Sequence, residues 1–526
     1  MQYYRDYRKK KKKKTGKILA ILLSLLLVLL IVIVIKTIIY PFAKFETPAV
    51  TEQTNTGASD EAVWRLAKAI RIPTISQDAD KTTDNPFDSF KVYLSEAYPE
   101  VYKAMDTLSI NKYGLLFHWK GKDTLRNPIL FLAHYDVAPV VRHKCGEDMF
   151  GEEVFRPGDP KKEAIGKYQT AWDFPPFSGA VANGRIYGRG TLDAKSMMMA
   201  HLEAATTLLA NSFQPEQDIW FAYGFDQETG GTKGALKIAE YFKQNNITFD
   251  AVYGEGSVVT APGVAGIDRP VALVGIAEKG SCTISITVKE KGGHSSMPPS
   301  KSSLVLAAEI IEKLNSKQFP ADIIPLVKTF LDNVGGDMNF ISRMAIANQW
   351  LLEAPLLKLL KQDPATNALV RTTTAVTMVK GSNAPNILST TADITVNFCI
   401  LTGDSVGKVV NHVKEICDGY DVDIRVDTSC EPSSLSSEKT RAWRAVKNAI
   451  ARLYPEASMV ACIALTATDA QRYETTGKNV YRIMPVCLNE YEQRTIHNEN
   501  EHISLENYGR MIAYYKNLMK LFETIE

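Results

Sequence analysis

DIWFAYGFDQETGGTKGALKIAEYFKQNNITFDAVYGEG, residues 218–256, holds a strand, a helix and a second strand in fewer than forty residues. Its first run, 219–225, is apolar without alternation, as expected of a strand covered on both faces. Ala235, Ile238, Ala239 and Phe242 then recur at helical spacing, and FDAVYGEG resumes the strand pattern. Two strands joined through a helix predict a parallel crossover unit. The same alternation extends upstream, where NPILFLAHYDV (127–137) reads as a strand and SMMMAHLEAATTLLAN (196–211) as a helix. The expected fold class is α/β, with a mostly parallel sheet covered by helices.

A different pattern begins at Cys282. Strand CTISITVKE, helix SSLVLAAEIIEKLN, strands TTTAVTMVKG and TADITVNFCI, helix SVGKVVNHVKEIC and strand VDIRVDTS follow one another, a βαββαβ order that folds as a small two-layer module. Residues 319–370 interrupt it with Leu and Ile at helical spacing and are expected to form a helical pair. After about residue 430 the α/β character returns. The implied layout is a first α/β segment over 59–281, an inserted domain over 282–429 and a second α/β segment over 430–526.

The 526 residues are 45% hydrophobic and 23% charged, ordinary for globular protein. The net charge of +2 hides an asymmetry: residues 1–17 hold nine Lys and Arg against Asp6, a local +8 that leaves about −6 for the rest. Residues 18–35 are unbroken apolar sequence except for Ser24, and a run of roughly 20 such residues spans a bilayer. This argues for a basic cytoplasmic tail (1–17), a transmembrane anchor (18–39) and a polar linker (40–58), with the body extracytoplasmic by the positive-inside rule. It argues against nucleic acid as the partner of the basic tail. A cleaved signal peptide has a shorter apolar core ending in small residues, whereas Lys36-Thr-Ile-Ile-Tyr-Pro follows here. The seven cysteines (145, 282, 399, 417, 430, 462, 487) form no CxxC and no dense framework, so neither a zinc ribbon nor a disulfide scaffold is implied.

The expected strands end in side chains able to bind metals: His134 and Asp136 after PILFLA, Glu228 after IWFAYGF, and Glu255 after AVYG. Strand carboxyl ends share one edge of a parallel sheet, so these residues can converge across long sequence gaps. Asp193, where YGRGTLD enters a helix, and His497 near the C-terminus complete the set. Singly, each has a plainer reading: Asp193 as a helix N-cap, His134 as a hydrogen-bonded strand-end histidine, His497 as a surface residue. Together, two histidines and three carboxylates suit zinc, with Asp136 placed to orient the His134 imidazole.

AIRIPTIS (69–76), LAHYDVAPV (132–140), WDFPPFSGAVANGRIYGRGTLDAKS (172–196), FDQETGGTKGA (225–235), GEG (254–256), EKG (278–280), GGHSSMPP (292–299), GSNAPN (381–386), TDA (468–470) and HNENE (497–501) occur in this order. The chain thereby resembles the aminoacylase and carboxypeptidase S family of di-zinc peptidases, which includes succinyl-diaminopimelate desuccinylase, and is most similar to the carboxypeptidase S type. The resemblance implies two Zn²⁺, with Co²⁺ or Mn²⁺ as substitutes. His134, Asp193 and Glu255 would hold one ion, and Asp193, Glu228 and His497 the other. Some relatives carry an aspartate one position before Glu255, where this chain has Gly254. The resemblance further implies that 59–281 and 430–526 form the catalytic domain and 282–429 its lid, that His294 and Asn386 of the lid contact the substrate carbonyl, and that the protein is a monomer or a lid-mediated homodimer.

At 227 the chain departs from the family, whose Glu-Glu pair supplies the general base. Gln227 can hydrogen-bond a water but accepts no proton at neutral pH, so the chain is expected to bind substrate and metal yet turn over poorly. Asp226 is a weak substitute, since neighbouring strand residues face opposite ways. Cys399 and Gln471 stand where relatives carry Arg, with Arg472 one place late, which leaves a free substrate carboxylate without its usual fork. The expected activity is cleavage of an amide bond in a peptide or N-acyl amino acid. The alternatives are a non-catalytic, zinc-containing membrane protein that captures such molecules, and a structural ectodomain without metal.

Overall fold

Burial on both faces accounts for the centre of the molecule. In a computed structural model the strands Ile129–His134 and Ile219–Gly224 are buried at every position, as their unbroken apolar sequences require. The structure describes residues 2–42, 56–81, 83–141, 149–151 and 171–524. Most of the expected linker, Cys145 and most of the charged loop between Val140 and Trp172 lie outside them.

Two compact units result. The larger comprises residues 46–264, 269–320 and 371–526. Its main sheet has ten strands in the order Asp106–Ile110, Gly114–Trp119, Ile219–Gly224, Ile129–His134, Ala251–Gly254, Val480–Arg482, Val271–Glu278, Val259–Thr260, Cys487–Leu488, with Ser458–Ala464 paired to Val271–Glu278. The strands of the quoted stretch run parallel to Ile129–His134 on either side of it. The sheet as a whole is mixed, which corrects the expectation of a mostly parallel one. Asp106–Ile110 and Gly114–Trp119 form a hairpin whose turn residues Asn111 and Lys112 have φ of 46° and 71°. A connection that short can only reverse the chain. Antiparallel pairs also join Val271–Glu278 to Val480–Arg482 and to Val259–Thr260.

Period-two alternation sends the central side chains to two layers. Leu130, Leu132, Trp220, Ala222 and Val252 pack with Ile238, Ala239 and Phe242 of helix Ala235–Gln244. Phe131, Phe221 and Tyr253 stack toward His201 of helix Lys195–Ala210 and Tyr515 of helix Leu505–Thr524. Register aligns His134 with Gly224, Tyr253 with Phe131 and Arg482 with Gly254, so these strands finish at a common edge.

The residues read as βαββαβ form a four-stranded antiparallel sheet, Thr373–Lys380, Thr391–Ile400, Gly280–Lys289, Val422–Cys430. Gly280–Lys289 and Thr391–Ile400 alternate strictly between buried and half-exposed. Their buried faces pack on Ala307, Ile310 and Leu314 of one helix and Val409, Val413 and Ile416 of another.

The smaller unit comprises residues 1–45, 265–268 and 321–370. It contains helix Gln2–Ile39, whose segment Lys17–Ile39 is long and apolar enough to cross a membrane. Where the sequence suggests a helical pair, four short helices form: Pro325–Gly335, Phe340–Ala347, Gln349–Leu360 and Pro364–Val370. Asn339 and Asn348 divide them, the first by accepting from Ser342 N as an N-cap.

Candidate metal centre

The stretch FDQETGG leaves its strand at Gly224 and turns at once. Gln227–Thr229 form one 3₁₀ turn, and Gly230 and Gly231 then take left-handed φ values of 102° and 65° at little steric cost. The acids serve separate ends. The Asp226 carboxylate accepts from Lys233 N and Gly234 N, both 2.7 Å away, at the start of the next helix, so it is engaged away from the site. Glu228 faces the sheet edge, where its Oε1 lies 3.1 Å from His497 Nε2.

Buried Asp136 organises this edge. Its Oδ1 lies 3.2 Å from His134 Nδ1, and its main-chain oxygen 3.0 Å from the same nitrogen. Its carboxylate also accepts from Ser76 Oγ at 2.6 Å and from the main-chain N–H groups of Gln227 and Glu228 at 3.2 and 3.0 Å. One carboxylate therefore turns His134 Nε2 toward the site and holds the backbone that carries Glu228.

Asp193 joins two clusters. Its Oδ1 lies 2.9 Å from His134 Nε2, which is also 3.4 Å from Glu255 Oε2. Its Oδ2 lies 2.8 Å from His497 Nε2. In each trio, His134/Asp193/Glu255 and Asp193/Glu228/His497, one ligand atom per residue lies within 4.8 Å of the others. Asp193 does not cap its helix: Ala194 occupies that position and no side chain caps it. Glu255, rather than a side chain at 254, reaches His134, because Gly254 is the last residue of its strand.

A metal fits these residues on their chemistry. Among the described residues the buried Glu228 Oε1 atom has no partner but His497 Nε2, 3.1 Å away, which leaves it lone-pair capacity to face a cation. The carboxylates also concentrate negative potential. Hydrogen bonds to Asp193 and then Glu228 raise the His497 pKa to about 10 against its burial. Burial would lower His134, but Glu255, followed by Asp136 and Asp193, carries it well above the usual imidazole range. For Asp193 burial is likewise overcome, by His134 and His497, which hold it well below the usual carboxylate range. Three carboxylates and two imidazole nitrogens around two points match the donor set of zinc.

Sequence reasoning did not single out Glu501. It is fully buried and accepts from Arg189 Nη1 at 2.6 Å and from the N–H groups of Gly190, Leu192 and Asp193 at 2.9, 2.9 and 3.2 Å. The strand His502–Ser504 pairs with Arg185–Tyr187 beside it. Glu501 thus ties the loop bearing Asp193 to the segment bearing His497. The only trace in sequence is an acid inside HNENE, since most of its partners are main-chain groups.

The second missed residue is Asp469. Its carboxylate fits between Gly224 and Gly231, where an added Cβ would lie 2.3 and 2.2 Å from its oxygens. Burial pushes it well above the usual carboxylate range.

A cavity of about 530 Å³ opens on the clusters, within the range of small-molecule sites. Asp193, Glu228, Glu255 and His497 line it beside apolar Leu192, Val258, Met484 and Ile496. Gln227 also lines it, its Nε2 donating to Ala467 O at 3.1 Å. Its described lining contains no Lys or Arg. Arg472 donates instead to Gly230 O at 2.9 Å, and Gln471 to Glu431 O. His294 and Asn386 are neighbours, with Ser295 N donating to Asn386 O at 3.1 Å, but they lie exposed on a small ribbon and do not line the cavity.

This fold and paired site define a metallohydrolase. Residues 165–521 match the model of the peptidase family M20/M25/M40, and the chain belongs to that family, whose members are divalent-metal hydrolases acting on peptides or N-acyl amino acids. It is 31% identical to the "Probable carboxypeptidase S-like 2" of Dictyostelium discoideum over 91% of this chain and 88% of that one. To the "N-fatty-acyl-amino acid synthase/hydrolase PM20D1" of Xenopus tropicalis it is 30% identical, over 88% and 86%. The M20 metallo-carboxypeptidase Sso-CP2 from Sulfolobus solfataricus shares the fold with a TM-score of 0.63 at 19% identity, over 89% of this chain and all of that one.

Proposed function

We propose that this protein is a membrane-anchored, extracytoplasmic di-zinc hydrolase that binds N-acyl amino acids or small peptides and, with Gln at 227, cleaves their amide bond slowly. The observation that carries this reading is Asp193, whose two oxygens face two separate clusters 2.9 and 2.8 Å away. His134, Asp193 and Glu255 would hold one ion, and Asp193, Glu228 and His497 the other. When bound, zinc polarises a carbonyl oxygen and lowers the pKa of water to about 7.

The chain's own groups perform the rest. Leu192, Val258, Met484 and Ile496 offer an acyl chain apolar contact. The four-stranded module acts as the lid, bringing His294 and Asn386 to the substrate carbonyl as a monomer or within a homodimer. Ser296 holds the His294 ring, its N and Oγ lying 3.1 and 2.8 Å from Nδ1, so that Nε2 is the ring nitrogen left to face the carbonyl. Gln227 orients a water but takes no proton from it. Apart from Asp193, Glu228 and Glu255, the described lining of the cavity contains no carboxylate to replace it.

Two measurements test this. Elemental analysis should find two zinc ions per chain, and Gln227→Glu should raise turnover of N-acyl amino acids and dipeptides by about 10²–10⁴-fold. Gln227 favours a second reading, a zinc-containing protein that captures these molecules without cleaving them. Tight binding with no turnover after Gln227→Glu would establish that reading, and a chain that binds no zinc would end both.

A further inference from the structure

In the smaller unit the apolar helix and the inserted helices are joined by polar groups where an apolar surface would be expected to suffice. On Lys17–Ile39 only Ile33 and Thr37 are buried, one turn apart on one face. Asn348, fully buried at the junction of Phe340–Ala347 and Gln349–Leu360, donates to Thr37 Oγ1 at 3.0 Å and to Ile33 O at 3.3 Å. Nearer the end of the helix, Tyr40 donates to Asp332 Oδ1 at 2.8 Å. An added Cβ at Gly335 would lie 2.5 Å from Phe42. Small residues and hydrogen-bonded side chains of this kind hold helices together within membranes.

The depth of this clasp has a consequence. Ile33 precedes Ile39, the end of the span, by about 9 Å at 1.5 Å per residue, so the junction lies at the level of the outer leaflet if the helix crosses the bilayer. Around it Phe340, Ile341, Trp350, Leu351 and Leu359 are exposed by 48, 71, 57, 42 and 52%. Helix Gln349–Leu360, QWLLEAPLLKLL, buries only Leu356. Such a surface on a soluble protein marks a partner; here the span is continuous with it and delivers it to lipid. Lys36 lies 5.4 Å from the Trp350 ring, a cation and an indole side by side, as found at membrane interfaces.

We infer that residues 340–360 form a second membrane contact, an interfacial platform clasped to the end of the span and embedded by its apolar face in the outer leaflet. The inference rests on Lys17–Ile39 being a membrane span and adds that lipid covers the inserted helices.

The test uses the full chain in phosphatidylcholine vesicles carrying doxyl quenchers at shallow or deep acyl positions. Trp350 is one of six tryptophans, with none in Lys17–Ile39. Shallow quenchers should remove a part of the tryptophan emission that Trp350→Phe abolishes and that Ile341→Trp in the Trp350→Phe background restores. Alkaline carbonate extraction separates the two readings. A chain released by carbonate overturns the anchor and the platform together, whereas a chain retained without quenching at either position overturns the platform alone. Quenching that disappears when vesicles carry several chains each shows a second copy on this face, and also overturns it.

Discussion

Asp193 and His497 make different contributions, and single substitutions separate them. Asn in place of Asp193 keeps the shape but loses the charge shared by both clusters, so Asp193→Asn should lose both metals, whereas His497→Ala should lose only one; elemental analysis after dialysis against trace zinc distinguishes the two losses. Asp193 was singled out in the sequence where a loop enters a helix and His497 only within HNENE, and the structure brings the two side chains to 2.8 Å of each other. Asp226 and Gln227 show the limit of that reading. Strand alternation makes Asp226 a weak substitute base, whereas the structure engages its carboxylate elsewhere, with Lys233 N and Gly234 N. That Gln227 donates to Ala467 O was not legible at all, since 240 residues separate the partners.

At the scale of elements, the site depends on strand ends and loops being pinned in register. Gly224 lies opposite His134, and a methyl group there would meet the Asp469 carboxylate at 2.3 Å. Gly224→Ala should therefore destabilise the protein by about 1–3 kcal/mol, read from its denaturant midpoint. Glu501 pins the loops: Glu501→Ala leaves Arg189 buried and three N–H groups unpaired, and should cost about 3–5 kcal/mol along with zinc affinity. A smaller loss, with zinc retained in full, would show that the Asp193 loop holds its shape without Glu501. The βαββαβ order was readable because alternation marks strands that are covered on one side. The edge hairpin was not, because its outer strand is mostly exposed and carries little apolar signal.

For the whole molecule, metal and protons compete for one set of ligands. His497 has its pKa raised from 6.5 to about 10, so without metal it lends the fold stability that is complete below pH 6.5 and is lost as pH rises through 10. Zinc must displace that proton, so its affinity should rise with pH, by about tenfold per unit for each proton displaced, up to about pH 10. Equilibrium dialysis between pH 6 and 8 measures the slope. A flat response would mean that His497 binds no metal. The charge of the molecule is divided as well: residues 1–17 carry a local +8, and the remainder, about −6, contains the clustered carboxylates of Asp193, Glu228 and Glu255.

Sequence alone determined the α/β class, the apolar span, the inserted module and the identity of the metal-capable residues, because each is written in local periodicity or in side-chain chemistry at an element's end. Only the tertiary structure decided that the sheet is mixed, that the two Asp193 oxygens lie against His134 and His497, that Glu501 holds the Asp193 loop, that Asp469 fits between Gly224 and Gly231, and that Asn348 meets the apolar helix. Those facts concern main-chain donors, glycine clearances and contacts between residues hundreds of positions apart, which leave no periodic trace in the chain.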